Sequence, residues 1–158
     1  METPSQGHRG LRKGRVSVPG QVYLLTLVTQ HRIPRFQHFV VGSGTAKAIA
    51  EFDLTTDHRI PCWVLMPDHF HALLELGTSE PLDRAVHRLK FVMARAANRC
   101  LKRHGRLWAR AFHDHALRRD EDLVATARYI VANPVRAGLV RRVGDYPFWD
   151  AVWLAGAV

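Results

Sequence analysis

Acidic side chains are scarce in this 158-residue sequence: 14 Asp and Glu stand against 23 Lys and Arg, leaving a formal charge of +9. That deficit favours a polyanion partner, nucleic acid first, although a genome rich in Arg codons would produce the same balance. Cysteine is nearly absent as well. The two present, Cys62 and Cys100, form no CxxC pair and fall in segments that read as core. A disulfide framework and a thiolate metal site are therefore excluded, and both thiols are expected to be reduced. No uncharged apolar run approaches the roughly 18 residues of a membrane span. The first twenty residues hold Arg9, Arg12, Lys13 and Arg15 among Gly, Ser and Pro, without the apolar stretch of a signal peptide. A soluble cytoplasmic protein without membrane contact is the expectation.

What is present suits one core, with 47% apolar and 23% charged residues. Residues 1–19 read as a flexible basic arm, in which Arg12 and Lys13 are candidates to meet a polyanion. Residues 20–155 read as a single domain. Residues 22–29 (VYLLTLVT) carry no charge and are rich in β-branched and apolar side chains, as in a strand buried on both faces. A helix is expected over about 41–52. Residues 60–66 and 69–76 are two apolar strands joined by Pro67 and Asp68, which suits a tight hairpin. Over 82–103, Leu82, Val86, Leu89, Met93, Ala96 and Cys100 recur at helical spacing. On that helix Arg84, Arg88, Arg95, Arg99 and Lys102 fall within about 60° of one another, a basic ridge that is either a solvated face or a phosphate-binding one. Residues 108–117 read as a further strand. Asp120, Glu121 and Asp122 then suit the first turn of a helix running toward Asn133, and the aromatic tail 146–153 is expected to pack on the core. Helices interleaved with a hairpin, rather than regular βα alternation, indicate an α+β fold with an antiparallel sheet.

Two groups of residues point to chemistry. In a strand His69 and His71 project to one face while Phe70 takes the other. Two neutral imidazoles bind a divalent cation and leave positions open for a phosphate oxygen and water. Taken alone, an HxH pair is equally compatible with a structural role. With no thiolate at matching spacing, Mg²⁺ or Mn²⁺ suits the basic chain better than zinc. On the last long helix Leu123, Ala127, Ile130 and Val131 form the apolar stripe, and Tyr129 lies off it by about 100°. Asn133 sits one turn beyond Tyr129 on the same flank if the helix runs that far, although Pro134 disfavours helical geometry there. A phenol oxygen can attack a phosphodiester and store its bond energy as phosphotyrosine.

The segments MPDHFHALLEL, WARAFHDHALR and YIVANPVRAGLV, with Lys90 between the first two, resemble the REP-associated tyrosine transposases of the HUH single-tyrosine family, over about residues 19–153. The resemblance implies an RRM-like antiparallel sheet of four to five strands packed with helices, the HUH endonuclease fold. It implies that His69 and His71 hold a divalent metal, that Tyr129 is the nucleophile and that Asn133 completes the coordination. It also implies cleavage and rejoining of single-stranded DNA near hairpins of REP-like repeats, through a 5′-phosphotyrosine, without a nucleotide cofactor, in a nucleoid-associated protein. Arg84, Arg88, Lys90, Arg95 and Arg99 are then candidate DNA contacts, with Lys90 near enough to the apolar border to reach the cleft. A non-catalytic nucleic-acid module and a hydrolytic metal nuclease are the alternatives, and monomer or homodimer stays open. The family's aromatic-rich motif at the first strand is replaced here by GQVYLLT.

Overall fold

The computed structural model describes residues 17–118 and 122–153. Arg12 and Lys13, with residues 1–16 of the expected arm, lie outside the described residues. The elements run β1 (Val22–Val28), α1 (Phe39–Thr55), β2 (Arg59–Leu65), β3 (His69–Glu75), α2 (Leu82–Leu101), β4 (His113–Ala116), α3 (Leu123–Val131), α4 (Asn133–Arg136) and β5 (Trp149–Ala151). The five strands form one sheet in the order β4-β1-β3-β2-β5, with every neighbouring pair antiparallel. The α+β class is as the sequence indicated. Among the described residues no helix is long and apolar enough to cross a membrane.

Side-chain alternation gives the sheet two unlike faces. Tyr23, Leu25 and Leu27 of β1 share one face with Phe70, Ala72 and Leu74 of β3, and all six are buried. Helices α1 and α2 pack on each other as the layer that closes this face. The stripe of α2 is Leu82, Ala85, Val86, Leu89, Met93 and Ala97, all buried, while Ala96 and Cys100 sit at its border, half-buried. The other face carries His69, His71 and Leu73, with Cys62 and Val64 as their β2 neighbours. Here α3 covers only the β2 side, where the Cys62 thiol reaches the Ala127 carbonyl at 3.7 Å. Leu73, Cys62 and Val64 are consequently buried, whereas Val22, Leu24, Thr26 and Val28 of β1 stay half-buried. The first strand is thus not buried on both faces as its composition suggested, because the helical cover stops short of it.

Three other elements differ from the sequence reading. The expected strand over 108–117 is regular only at β4, with Trp108 forming a separate bridge to Thr29. Helix α1 is longer than expected at both ends. The helix bearing Tyr129 stops at Val131, two residues short of Asn133. It also starts later than expected: Asp122 stands before the first turn as its cap, not within it, its carboxylate accepting from the backbone N–H groups of Val124 and Ala125. The tail packs as expected, with Tyr146 and Phe148 buried and β5 added beside β2.

At the end of the sheet away from the histidines, the α1–β2 and β3–α2 junctions are knotted together. The Gly77 N–H donates to Nδ1 of fully buried His58 at 2.9 Å, so the ring proton sits on Nε2 and faces Glu80 at 3.1 Å. The Asp57 carboxylate accepts from Thr78 N, Ser79 N and the Ser79 hydroxyl. The Ser79 hydroxyl bond chiefly holds the Asp57 carboxyl down at about 2, despite some desolvation, with the two backbone bonds and His58 assisting.

A Cβ at Gly77 would fall 2.3 Å from Asp57 Cγ and 2.6 Å from its carbonyl oxygen, whereas one at Gly144 meets nothing within 4 Å. Gly77→Ala should therefore destabilise the fold by about 1–3 kcal/mol in urea unfolding, as overpacking does, and Gly144→Ala should stay within about 0.5 kcal/mol. Because the native Asp57 pKa lies below its unfolded value, its stabilisation is intact above pH 3.8 and is lost as pH falls toward about 2. Asp57→Asn should flatten the acid limb of the stability profile in that window and leave its slope near neutrality unchanged.

Candidate active site

The site begins with strand register. Pairing of β1 with β3 sets Val28 opposite His69 and Thr26 opposite His71. The two imidazole rings lie 4.7 Å apart, edge to face at 77°. Each has its Nδ1 occupied: His69 by Asp68 Oδ1 at 2.7 Å, His71 by the Thr26 hydroxyl at 2.9 Å. A carboxylate only accepts, so His69 directs its Nδ1–H at Asp68 and carries its lone pair on Nε2, the orientation that outer partners impose on metal-binding histidines, while the Thr26 hydroxyl engages His71 through Nδ1 and leaves its Nε2 outside that contact. Burial, followed by the charges of His69, Arg136 and Arg32, pushes the His71 pKa down to about 4, so the ring is neutral and able to act as a donor at pH 7.

The hairpin turn before His69 is pinned from β1. The buried Thr29 N–H and hydroxyl both donate to the Asp68 carbonyl, at 2.9 and 3.0 Å, and the Phe36 N–H donates to Pro67 O. Next to Thr29 the chain passes through two consecutive left-handed residues, His31 (φ 58°) and Arg32 (φ 56°). A non-glycine residue there costs about 1–2 kcal/mol. The turn brings the Arg32 guanidinium to 3.3 Å from Asp68. Burial raises the Asp68 pKa, but the His69 hydrogen bond and the His69 and Arg32 charges outweigh it, and the carboxyl is held below its ordinary value. Arg32, Asp68 and His69 thus form a chain that ends on a ring nitrogen.

Tyr129 stands on α3, on the histidine-bearing side of the sheet, with Ala127, Ile130 and Val131 buried and its own side chain 64% exposed. The guanidinium of Arg136 lies over its ring, 3.8 Å from the centroid. Arg136 also acts electrostatically on His71, so it links the tyrosine to the histidine pair. Asn133 does not continue the helix of Tyr129. Ala132 (φ −79°, ψ −5°) breaks α3, α4 restarts with Pro134 in its first turn, and the Asn133 Nδ2 donates to the Ile130 carbonyl at 3.0 Å. Its amide oxygen is the atom left for a cation. Among the described residues no three His, Cys, Asp or Glu side chains cluster for a metal, which rules out a closed structural zinc site within them. Two imidazoles with an amide oxygen suit an open divalent site.

The ridge residues lie elsewhere. Arg84, Arg88, Arg95 and Arg99 are exposed on α2, in the layer across the sheet from the histidines, and line grooves around the exposed Phe91. Arg88 is held in a two-pronged pair with Glu80, both N···O distances 3.0 Å. Lys90 Nζ donates to the carbonyls of Ala109 and Arg110, and its own carbonyl accepts from the Trp108 indole. It clasps the segment that buttresses the end of β1, where Ala109 N donates to Val28 O. His113 and His115 face Thr26 and Leu24 across the β1–β4 pairing, on the same sheet face as His71. Sequence reasoning did not single out Thr26, Asp68, Arg32 or Arg136. Register alone identifies Thr26; Arg136 had a signal, since seven residues after Tyr129 is two helical turns.

With this geometry in place, similarity to known proteins is informative. The family model described as IS200-like transposase matches residues 17–133, which include His69, His71, Tyr129 and Asn133. The REP-associated tyrosine transposase of Escherichia coli K12 is 30% identical over 90 residues, 57% of this chain and 52% of that protein, so the match spans about half its length. A Haemophilus influenzae protein provisionally given the same name is 30% identical over 144 residues, covering 82% of this chain and 78% of its own. Among solved structures, a REP-associated tyrosine transposase bound to a REP hairpin superposes with a TM-score of 0.69 at 23% identity, over 85% of this chain and 79% of that one. A crystal structure from Deinococcus radiodurans R1, provisionally assigned as a transposase, has a TM-score of 0.55 at 23% identity and covers 77% and 96%. By the extent of the family match and of the Haemophilus alignment, the chain belongs to the IS200-like transposase family, among the REP-associated tyrosine transposases.

Proposed function

We propose that the chain cleaves and rejoins single-stranded DNA near palindromic hairpins, with Tyr129 as nucleophile and a divalent metal, Mg²⁺ or Mn²⁺, at His69, His71 and Asn133. The observation that carries this reading is an exposed tyrosine over the same sheet face as two histidines whose Nδ1 atoms are both fixed. That the related REP-associated structure was solved with a REP hairpin supports the substrate class. In the first step the Tyr129 hydroxyl oxygen bonds to phosphorus and the bond to the 3′ oxygen breaks. The phenolic proton leaves to solvent and the departing 3′ oxygen takes one up. The product is a 5′-phosphotyrosine and a free 3′ hydroxyl, and attack by another 3′ hydroxyl reverses the chemistry and joins strands. Bond energy is kept in the phosphotyrosine, so the cycle balances without a nucleotide. A bound metal would polarise the phosphate and offset charge on the leaving oxygen. Thr26 and Asp68 orient the two rings toward it, and neutral His71 remains a donor at physiological pH. Exposed Arg84, Arg95 and Arg99, with Arg12 and Lys13, supply backbone contacts to DNA. Arg88, already paired to Glu80, contributes less.

Incubated with Mn²⁺ and hairpin-flanked single-stranded DNA, the protein should form an adduct that survives denaturation, and Tyr129→Phe should abolish both adduct and cleavage. Cleavage that persists in Tyr129→Phe but is lost in His69→Ala would make water the nucleophile instead. Binding without any cleavage across a panel of hairpins would indicate a non-catalytic module.

Thr26→Val should weaken Mn²⁺ binding by about 10–100-fold in a calorimetric titration, as loss of an outer partner typically does, and Asp68→Asn should act in the same direction. Replacing Arg95 and Arg99 together should reduce the slope of log affinity against log salt by about 0.7 for each single-strand phosphate that is no longer neutralised. Arg88→Ala should barely change that slope.

A further inference from the structure

The stack between Arg136 and Tyr129 is an unusual use of an arginine on this surface. Elsewhere Arg32, Arg88 and Arg142 each hold a carboxylate, of Asp68, Glu80 and Asp145. Among the described residues Arg136 has no carboxylate partner, and its side-chain N–H groups donate to no protein acceptor; its guanidinium rests on the Tyr129 ring, 3.8 Å from Cζ to centroid. Both residues are exposed. An exposed cation–π contact stabilises by only about 0.5–1 kcal/mol, so the stack positions the guanidinium while leaving its outward N–H groups unused.

The backbone explains why this cation lies over this ring. Arg136 is seven residues after Tyr129, nearly the same helical phase, but about 10 Å further along an unbroken axis. Only Ala132 separates α3 from α4, it keeps right-handed backbone geometry (φ −79°, ψ −5°), and the Arg136 N–H makes an ordinary helical bond to Ala132 O at 3.0 Å, so α4 starts within one turn of Tyr129's helix. Side chains on a helix lean toward its N-terminus, which directs the long arginine back over the tyrosine. The guanidinium is also near enough to His71 for its charge to act there.

We propose that Arg136 is a further catalytic residue, whose ring-stacked guanidinium contacts the non-bridging oxygens of the phosphate that Tyr129 attacks and then carries. The inference rests on Tyr129 being the nucleophile. When the bond from Tyr129 Oη to phosphorus forms and the bond to the 3′ oxygen breaks, negative charge lies on the non-bridging oxygens beside the phenol oxygen. A guanidinium stacked on the same ring presents a planar fork to those oxygens, a match that a lysine ammonium lacks. The phosphotyrosine diester keeps one negative charge at the same place, so the contact serves both cleavage and rejoining.

The test uses the full chain with Mn²⁺ and a hairpin-flanked single strand in single-turnover reactions, comparing wild type with Arg136→Ala and Arg136→Lys. DNA affinity is measured separately for each in a Tyr129→Phe background. Arg136→Ala should slow adduct formation by about 10²–10³-fold, the loss typical of one electrostatic contact to a transition state, with DNA affinity little changed. Arg136→Lys should recover only part of the rate. A second substrate carries an uncharged methylphosphonate at the scissile position, where the charge that Arg136 meets is gone. There the gap between wild type and Arg136→Ala should collapse. An undiminished gap on the neutral substrate would assign Arg136 to holding the ring alone and overturn the proposal, as would a defect confined to DNA affinity. Normal adduct formation by Arg136→Ala would overturn it while leaving Tyr129 as nucleophile. Absence of adduct from the wild type would instead overturn the nucleophile reading and this inference with it.

Discussion

Everything at the site depends on the register between β1 and β3. Because side chains alternate, a slip of one residue would send His69 and His71 into the apolar layer under α1 and α2 and bring Phe70 out to solvent. The register is held from both sides of the histidines. Toward the core, Leu25 and Leu27 meet Ala72 and Phe70 in a closely packed layer; at the turn, Thr29 hydrogen-bonds to Asp68 through both N–H and hydroxyl. The same pairing that buries the apolar residues sets Thr26 against His71, so the fold's own energetics orient the ring.

The open half of the sheet is the second condition. α3 is short, and it covers β2 and part of β3 while leaving β1 half-buried. A longer helical cover would bury the histidines, and no cover at all would leave Tyr129 without a mount. α3 ends at Val131, Asn133 turns to the Ile130 carbonyl and Arg136 lies over Tyr129. The end of the cover, Asn133 and the arginine that stacks on Tyr129 all lie within one short stretch around Ala132 and Pro134.

Backbone strain is concentrated beside this site. His31 and Arg32 both adopt left-handed geometry without being glycine, and the outcome is an arginine held against the carboxylate that orients His69. At the opposite end, the His58, Asp57 and Gly77 knot satisfies its polar groups within the protein. The two ends of the sheet thus separate anchorage from chemistry. On α2 the basic ridge is separated from the histidines by the full thickness of the sheet, so DNA contacts there would act at a distance from the reacting phosphate.

Local pattern was enough to specify the α+β class, the β2–β3 hairpin, the stripe of α2 and the shared face of His69 and His71. Each of these rests on a periodicity of two or 3.6 residues, or on a turn residue a few positions away. The resemblance of three motifs implied Tyr129 and Asn133 as further members of that site, which is the reading proposed for them. Tertiary structure decided what depends on distant partners. The half-burial of β1 follows from where α3 stops, and the roles of Thr26 and Asp68 follow from strand pairing. Lys90 is drawn to the carbonyls of Ala109 and Arg110, and Arg88 to Glu80, by groups that helical spacing does not reveal. Arg136 stands between these cases: its spacing from Tyr129 was visible, but the contact between the two side chains is a matter of tertiary geometry.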